Sequence, residues 1–137
     1  MCTNEQITTV AVSALVMLGL DAIYLKSFGN FWGKLVKKIQ GSPLTLNIWG
    51  AVVAYLAMIV VLNVFILLQP KIPEKKKYIL SLVLGLCIYL VYEGTNMAII
   101  KNWNWTAMAI DGIWGGLLFL ITTFITVKLV RVILQKK

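Results

Sequence analysis

The chain has 137 residues, of which 60% are hydrophobic and only 13% are charged. Soluble domains carry about 25% charged residues, so this composition, with a mean hydropathy of +0.87, excludes a domain that folds alone in water. The net charge of +8 does not indicate a nucleic-acid partner. The basic residues lie in short segments between apolar stretches and leave no soluble surface for nucleic-acid binding.

Four apolar stretches are long enough to cross a bilayer as helices, which requires about 20 residues. They cover residues 7–25, 48–68, 78–100 and 106–127, and three of them contain one acid each. The sequence therefore predicts an all-α fold, an antiparallel bundle of four transmembrane helices that forms a single membrane domain over residues 1–137. The expected surroundings are a lipid bilayer.

The segment between the first two spans has an amphipathic helical pattern. Phe28, Phe31 and Trp32 recur at helical spacing, with lysines between them. We predict a helix that lies in the membrane interface, and packing back against the bundle is the alternative. Trp103 and Trp105 are predicted to lie at the membrane rim between the last two spans, as members of an aromatic belt.

The basic residues also predict an orientation. With four spans both termini lie on one side, which carries eight Lys and Arg residues against five on the other side. The positive-inside rule therefore favours both termini in the cytoplasm. The tail from Lys128 to Lys137 is expected to extend the fourth helix into water.

Asp21, Glu93 and Asp111 are the acids of the first, third and fourth spans. An acid in hydrocarbon costs at least ~2.5–3.5 kcal/mol, so each is a candidate functional residue. At a rise of about 1.5 Å per residue, each lies about 21–22 Å from the side of the termini, and the three share one layer. No Lys or Arg lies at that depth. We therefore expect at least one acid to be protonated at neutral pH, or to be accompanied by a cation or solvent.

The acids have hydrogen-bonding neighbours on the same helical face. Residues 93–96 are weak helix sequence, and a local unwinding there would expose backbone carbonyls as in transporters. The pocket that we predict at this depth contains the three acids and these neighbours, and it should open toward the rim that carries Trp103. Its residues are Asp21, Tyr24, Tyr89, Glu93, Thr95, Asn96, Asp111 and Trp114.

Small residues predict close contacts between helices. Ser81 and Gly85 in the third span and Gly112 and Gly116 in the fourth span share the same spacing. These pairs indicate either packing within the bundle or the face of a dimer. We expect a homo-oligomer and favour a dimer.

Three functions fit the acidic layer. The first is conduction of protons or cations, or coupled transport of a small cationic substrate, in which Glu93 and Asp111 exchange protons and Asp21 tunes them. The second is lipid binding or lipid modification in the membrane, and the third is a non-catalytic role in assembly. The structural alternative is a closed polar plug that holds the helices in register.

The chemistry of the chain limits cofactors and catalysis. The chain has no His and only two Cys, so no metal site of the usual ligands and no cofactor is predicted. Carboxylate ligands suit a hard cation, and a bound cation or lipid therefore stays open. No nucleophile motif or phosphate-binding loop accompanies the acids, which disfavours an enzyme without excluding one.

Residues 92–98 (YEGTNMA), 101–103 (KNW) and 111–115 (DGIWG) resemble the signature of a family of small membrane proteins named domain of unknown function 2177. The family occurs mostly in bacteria and in some large DNA viruses. Residues 21–25 (DAIYL) are similar to its first-span motif. The family acid in the third span is usually aspartate, and here it is Glu93. The resemblance implies a four-span membrane protein whose motif residues include the three acids, and it implies no activity.

Overall fold

The computed structural model describes residues 3–135, so Lys136 and Lys137 of the predicted tail lie outside the described residues. Each of its four helical segments is long and apolar enough to cross a membrane. The described residues contain no β-strand, and the prediction of an all-α integral membrane protein with four helices is confirmed. The helices are α1 (Asn4–Gln40), α2 (Ile48–Leu62, continued by a π-helical turn at Asn63–Leu67), α3 (Glu74–Ile99) and α4 (Trp105–Gln135).

Helix α1 is one unbroken element of 37 residues, about 55 Å long. Thr3 begins it with a capping box, and Gly41 ends it in the left-handed region, at φ 76°. The amphipathic segment after the first span is helical as predicted, but it continues α1 and is not a separate interfacial helix. The reason is that residues 26–40 contain no proline, and nothing else interrupts the backbone hydrogen bonds.

The end of α1 packs over the connection between α3 and α4. The ring centroids of Trp32 and Trp103 lie 6.5 Å apart, Leu35 is buried, and Phe28 is exposed. The ring centroids of Phe31 and Trp32 are 5.0 Å apart. This segment therefore packs against the bundle, which was the alternative to a helix in the membrane interface.

Helix α2 lies at the periphery and packs on α1 and, through its π-helical turn, on α3. Asn47 caps its start by accepting from the backbone N–H groups of Trp49 and Gly50. At the π-helical turn, Asn63 Nδ2 donates to Ser13 Oγ of α1 at 2.8 Å. The rest of α2 stands away from α3 and leaves a cleft between the two helices.

Helices α3 and α4 form the tightest pair in the fold. A Cβ on Gly85 would overlap the backbone carbonyl of Gly115 and lie 2.7 Å from Cβ of Phe119. Gly112 and Gly116 also face α3, where an added Cβ would lie 2.8 Å from Leu90 Cδ2 and 3.2 Å from Leu82 Cδ1, respectively. The small residues that we singled out therefore serve packing within this chain, and the predicted homo-oligomer stays a prediction without their support.

The end of the bundle that carries the termini is held by charged groups. Glu74 at the start of α3 accepts a hydrogen bond from Arg131 of α4, and Lys128 lies 3.7 Å from the same carboxylate. Lys77 donates to the backbone carbonyl of Leu67 at 2.7 Å. The tail continues α4 as predicted, as far as Gln135.

The close approach of α3 and α4 predicts the effect of adding one methyl group. Gly85→Ala should lower the free energy of unfolding by about 1–3 kcal/mol, because the new Cβ overlaps backbone that cannot rotate away. Gly94→Ala is the matched control, since nothing lies within 4 Å of that position, and it should be neutral or stabilising by up to about 1 kcal/mol. Unfolding in detergent micelles measures both, and equal stabilities would contradict the packing.

Candidate functional site

Asp21 lies at the centre of a hydrogen-bonded cluster inside the bundle and is 6% exposed. Its Oδ1 accepts from Trp114 Nε1 of α4 at 2.7 Å. Its Oδ2 accepts from the hydroxyl of Tyr55 of α2. One carboxylate on α1 thereby joins three helices.

Asp111 is bound from α1 in a reciprocal manner. The Tyr24 hydroxyl donates to Asp111 Oδ1 at 2.8 Å, while Trp114 of α4 donates back to Asp21 of α1. The rings of the two donors, Tyr24 and Trp114, stack on each other, with centroids 4.5 Å apart and planes at 7°. Two carboxylates and two aromatic donors therefore form a closed set between the antiparallel helices α1 and α4.

Glu93 of α3 is fully buried, with 0% exposure. Its Oε2 accepts from Trp103 Nε1 at 2.7 Å, whereas its Oε1 has no hydrogen-bond partner among the described residues. Glu93 and Asp111 lie near enough for their charges to interact. Glu93 is thus the least satisfied of the three acids.

The donors of this cluster are neutral. Within residues 3–135 the ion pairs involve Glu74 and none of the three acids of the cluster. No group of three acidic, His or Cys side chains in that range is close enough to hold a metal ion. Asp21 and Asp111 are held by different aromatic donors, Trp114 and Tyr24, and do not form a common ligand sphere.

The remaining predicted pocket residues divide between the cluster and the outer surface. Tyr89 packs against Gly115, and Asn96 is buried with an unpartnered Nδ2 within the described structure. Thr95 is exposed and donates to the carbonyl of Val91 at 2.7 Å, so it does not line the pocket. Helix α3 continues through residues 93–96 to Ile99, and the local unwinding considered there is not found, because the backbone keeps its helical hydrogen bonds.

Two members of the cluster were not among the predicted pocket residues. Residues 54–56 (AYL) are similar to the second span of the family, but Tyr55 was not assigned to the pocket because this span contains no acid and the spacing of Tyr55 does not indicate a partner on α1. Trp103 was assigned to the aromatic belt, but its indole N–H binds Glu93. Its place in the KNW motif beside the acidic motifs was the signal available. Trp105 is 73% exposed, as expected for a residue that faces lipid.

A cleft of about 350 Å³ reaches the cluster from the side. It opens between α2 and α3 and not at the rim that we predicted, where the side chain of Trp103 itself covers Glu93. It has almost no polar lining apart from the acid at its inner end. Its lining residues are Ala54, Ala57, Met58, Ile88, Tyr89, Tyr92 and Asp111.

The two tryptophans of the α3–α4 connection allow a direct test of this geometry. Trp103→Phe removes the N–H that Glu93 accepts and should lower the free energy of unfolding by about 1–3 kcal/mol, because both oxygens of a buried carboxyl then lack donors. Trp105→Phe, the matched control, keeps an exposed ring and should change it by at most about 0.5 kcal/mol. If the two substitutions lower the free energy of unfolding in detergent equally, Trp103 acts as an aromatic-belt residue and its bond to Glu93 does not stabilise the fold.

Comparison with known proteins supports the family resemblance seen in the sequence. The family model described as predicted membrane protein (DUF2177) matches residues 6–128, which include every acid and aromatic donor of the cluster. No curated protein and no solved structure matches the chain. The match covers most of the chain, which therefore belongs to the DUF2177 family of predicted membrane proteins.

Proposed function

We propose that this membrane protein exchanges protons at the pair Glu93 and Asp111 and couples this exchange to the passage of a small cationic substrate. One observation carries the proposal: three acids are held in the membrane interior by neutral donors alone. A structural plug would satisfy its carboxylates fully, whereas Glu93 keeps one buried oxygen without a partner among the described residues.

The electrostatics of the pair favour a bound proton. Two neighbouring carboxylates do not both ionise in a site of low dielectric constant, because their charges repel at short range. One proton shared by Glu93 and Asp111 relieves this repulsion and supplies the missing hydrogen bond. Asp21 receives two donors of its own, so it is suited to tune the pair rather than to carry the proton.

A second group of polar side chains lies between the cluster and the end of the bundle that carries the termini. These side chains are buried, and the hydroxyls of the three threonines have no partner within residues 3–135. The group consists of Ser13, Asn63, Thr122, Thr123 and Thr126. It leads to a cavity of about 330 Å³ that Glu5, Lys77 and Arg131 help to line.

An apolar layer separates this polar group from the acids. Met17, Leu62, Leu118 and Phe119 are each 0% exposed and pack together. Along α1, Met17 lies between Ser13 and Asp21, which are about 12 Å apart. The arrangement supports a closed state of a proton path. The polar group and the acids form its two parts, and the apolar layer between them excludes the water that would connect them.

Proton flux into liposomes tests the proposal. Purified protein is reconstituted with a pH-sensitive dye inside, and a gradient of tetraethylammonium, a small organic cation, is imposed across the membrane to drive the exchange. Wild-type protein should carry flux, and Glu93→Gln and Asp111→Asn should each reduce it to the rate of protein-free liposomes, because a neutral amide cannot bind and release the proton. Both substitutions preserve the shape of the side chain.

Glu74→Gln is the control, since Glu74 is an acid outside the cluster and pairs with Arg131 near the membrane surface. It should carry the wild-type flux. Flux that persists in Glu93→Gln and Asp111→Asn, or that is absent from a folded wild-type protein, contradicts proton exchange at this pair.

The apolar layer generates a separate prediction. Met17→Ala should raise the proton flux above that of wild type, because the shorter side chain leaves room for water between Ser13 and the acids. Leu18→Ala is the matched control, since Leu18 is 41% exposed on the outer face of the same helix, and it should not change the flux. The same liposome assay measures both, and equal flux in the two variants would show that this layer is not the barrier.

A further inference from the structure

We infer that the cleft between α2 and α3 binds an amphipathic organic cation, which enters sideways from the bilayer and places its charged group against Asp111. This inference rests on the proposed function and names the class of its substrate. The cleft has a volume of about 350 Å³, which falls in the usual range for small-molecule sites.

The chemistry of the lining selects a cation. Asp111 is the charged residue among the described lining side chains, and it lies with Tyr89 and Tyr92. A carboxylate beside aromatic rings is the combination that binds ammonium groups, through charge and through cation–π attraction. An anion would face the Asp111 carboxyl and the nearby Glu93 with no positive group to meet it.

The same lining excludes a small inorganic ion. Ca²⁺ and similar hard cations need about six to eight oxygen ligands, and Mg²⁺ keeps several of its waters. The cleft offers one carboxylate, two phenol rings and otherwise aliphatic walls from Ala54, Ala57, Met58 and Ile88. An organic cation keeps its charge shielded by its own alkyl groups, and therefore loses little hydration when it enters such a site.

The position of the cleft determines the route by which a ligand enters it. Helix α2 is attached to the bundle through Tyr55 and Asn63, on the side that faces α1. Its other side leaves Ala54 and Ala57 exposed at the mouth of the cleft. The mouth therefore faces the acyl chains of the bilayer, and a ligand that reaches it must already be dissolved in the membrane.

Binding of the cation displaces the proton that Glu93 and Asp111 share. One positive charge enters and one proton leaves, so the charge of the site does not change. The titratable groups that surround Asp111 carry no positive charge. They are Asp21 and Tyr24 of α1, and Tyr89, Tyr92 and Glu93 of α3.

The test is binding of radiolabelled octyltrimethylammonium to the protein in lipid nanodiscs, with protein-free nanodiscs as background. We expect saturable binding that strengthens by about tenfold per pH unit while the proton competes. Asp111→Asn should abolish it. Ala57→Phe should weaken it by about tenfold or more, because a phenyl ring fills the cleft without altering an acid.

Val53→Phe is the matched control, because Val53 is 67% exposed on the same helix and lies outside the cleft lining. It should bind the cation as wild type does. Octanol is the uncharged competitor. Displacement by octanol as effective as displacement by the unlabelled cation, or equal binding to wild type and Asp111→Asn, would overturn the inference.

Proton flux into liposomes that contain the same protein variants separates the two proposals. Flux without saturable cation binding overturns the cleft as the substrate site and leaves proton exchange standing. Saturable, Asp111-dependent binding without flux supports the cleft site and contradicts proton exchange as the function.

Discussion

The fold depends on a reciprocal exchange of hydrogen bonds between α1 and α4. Asp21 accepts from Trp114, and Tyr24, three residues further along α1, donates to Asp111, three residues earlier on α4. The two bonds therefore obey one antiparallel register. In the membrane interior an unsatisfied polar group is costly, so a slip of either helix would break both bonds together and is strongly opposed.

The same rule positions α2, although this helix has few other contacts. Tyr55 bonds to Asp21, and Asn63 bonds to Ser13. Tyr55 and Asn63 are eight residues apart on α2, and their partners Asp21 and Ser13 are eight residues apart on α1. The two bonds therefore again obey one antiparallel register. Polar contacts hold the inner side of α2 while its outer side faces lipid. Within residues 3–135 a hydrogen bond joins α3 to the π-helical turn, from Lys77 to the carbonyl of Leu67, but none joins α3 to residues 48–62, and the cleft lies there. The candidate site is thus a consequence of how sparsely α2 is attached.

The helices and the acidic layer could be predicted from the sequence because each depends on properties of a single segment of the chain. A hydrocarbon core about 30 Å thick requires long apolar runs, and the rise of an α-helix converts residue numbers into depth. Asp21, Glu93 and Asp111 could therefore be assigned to one cluster. Their donors could not, because Tyr55 and Trp103 reach them from other elements, and a tyrosine or tryptophan near a membrane rim is equally typical of a residue that faces lipid.

The sequence by itself determined four membrane-spanning helices, three acids in one layer and membership in the DUF2177 family. Composition and helical geometry are sufficient for these conclusions. Only the tertiary structure decided that α1 runs unbroken to Gln40, that the glycines of α3 and α4 face each other within one chain, and that Glu93 has a free oxygen within the described part of the chain. The reason is that hydrogen-bond partners and close contacts depend on how helices distant in sequence are rotated against one another, and a periodic pattern gives the face of a helix but not its neighbour.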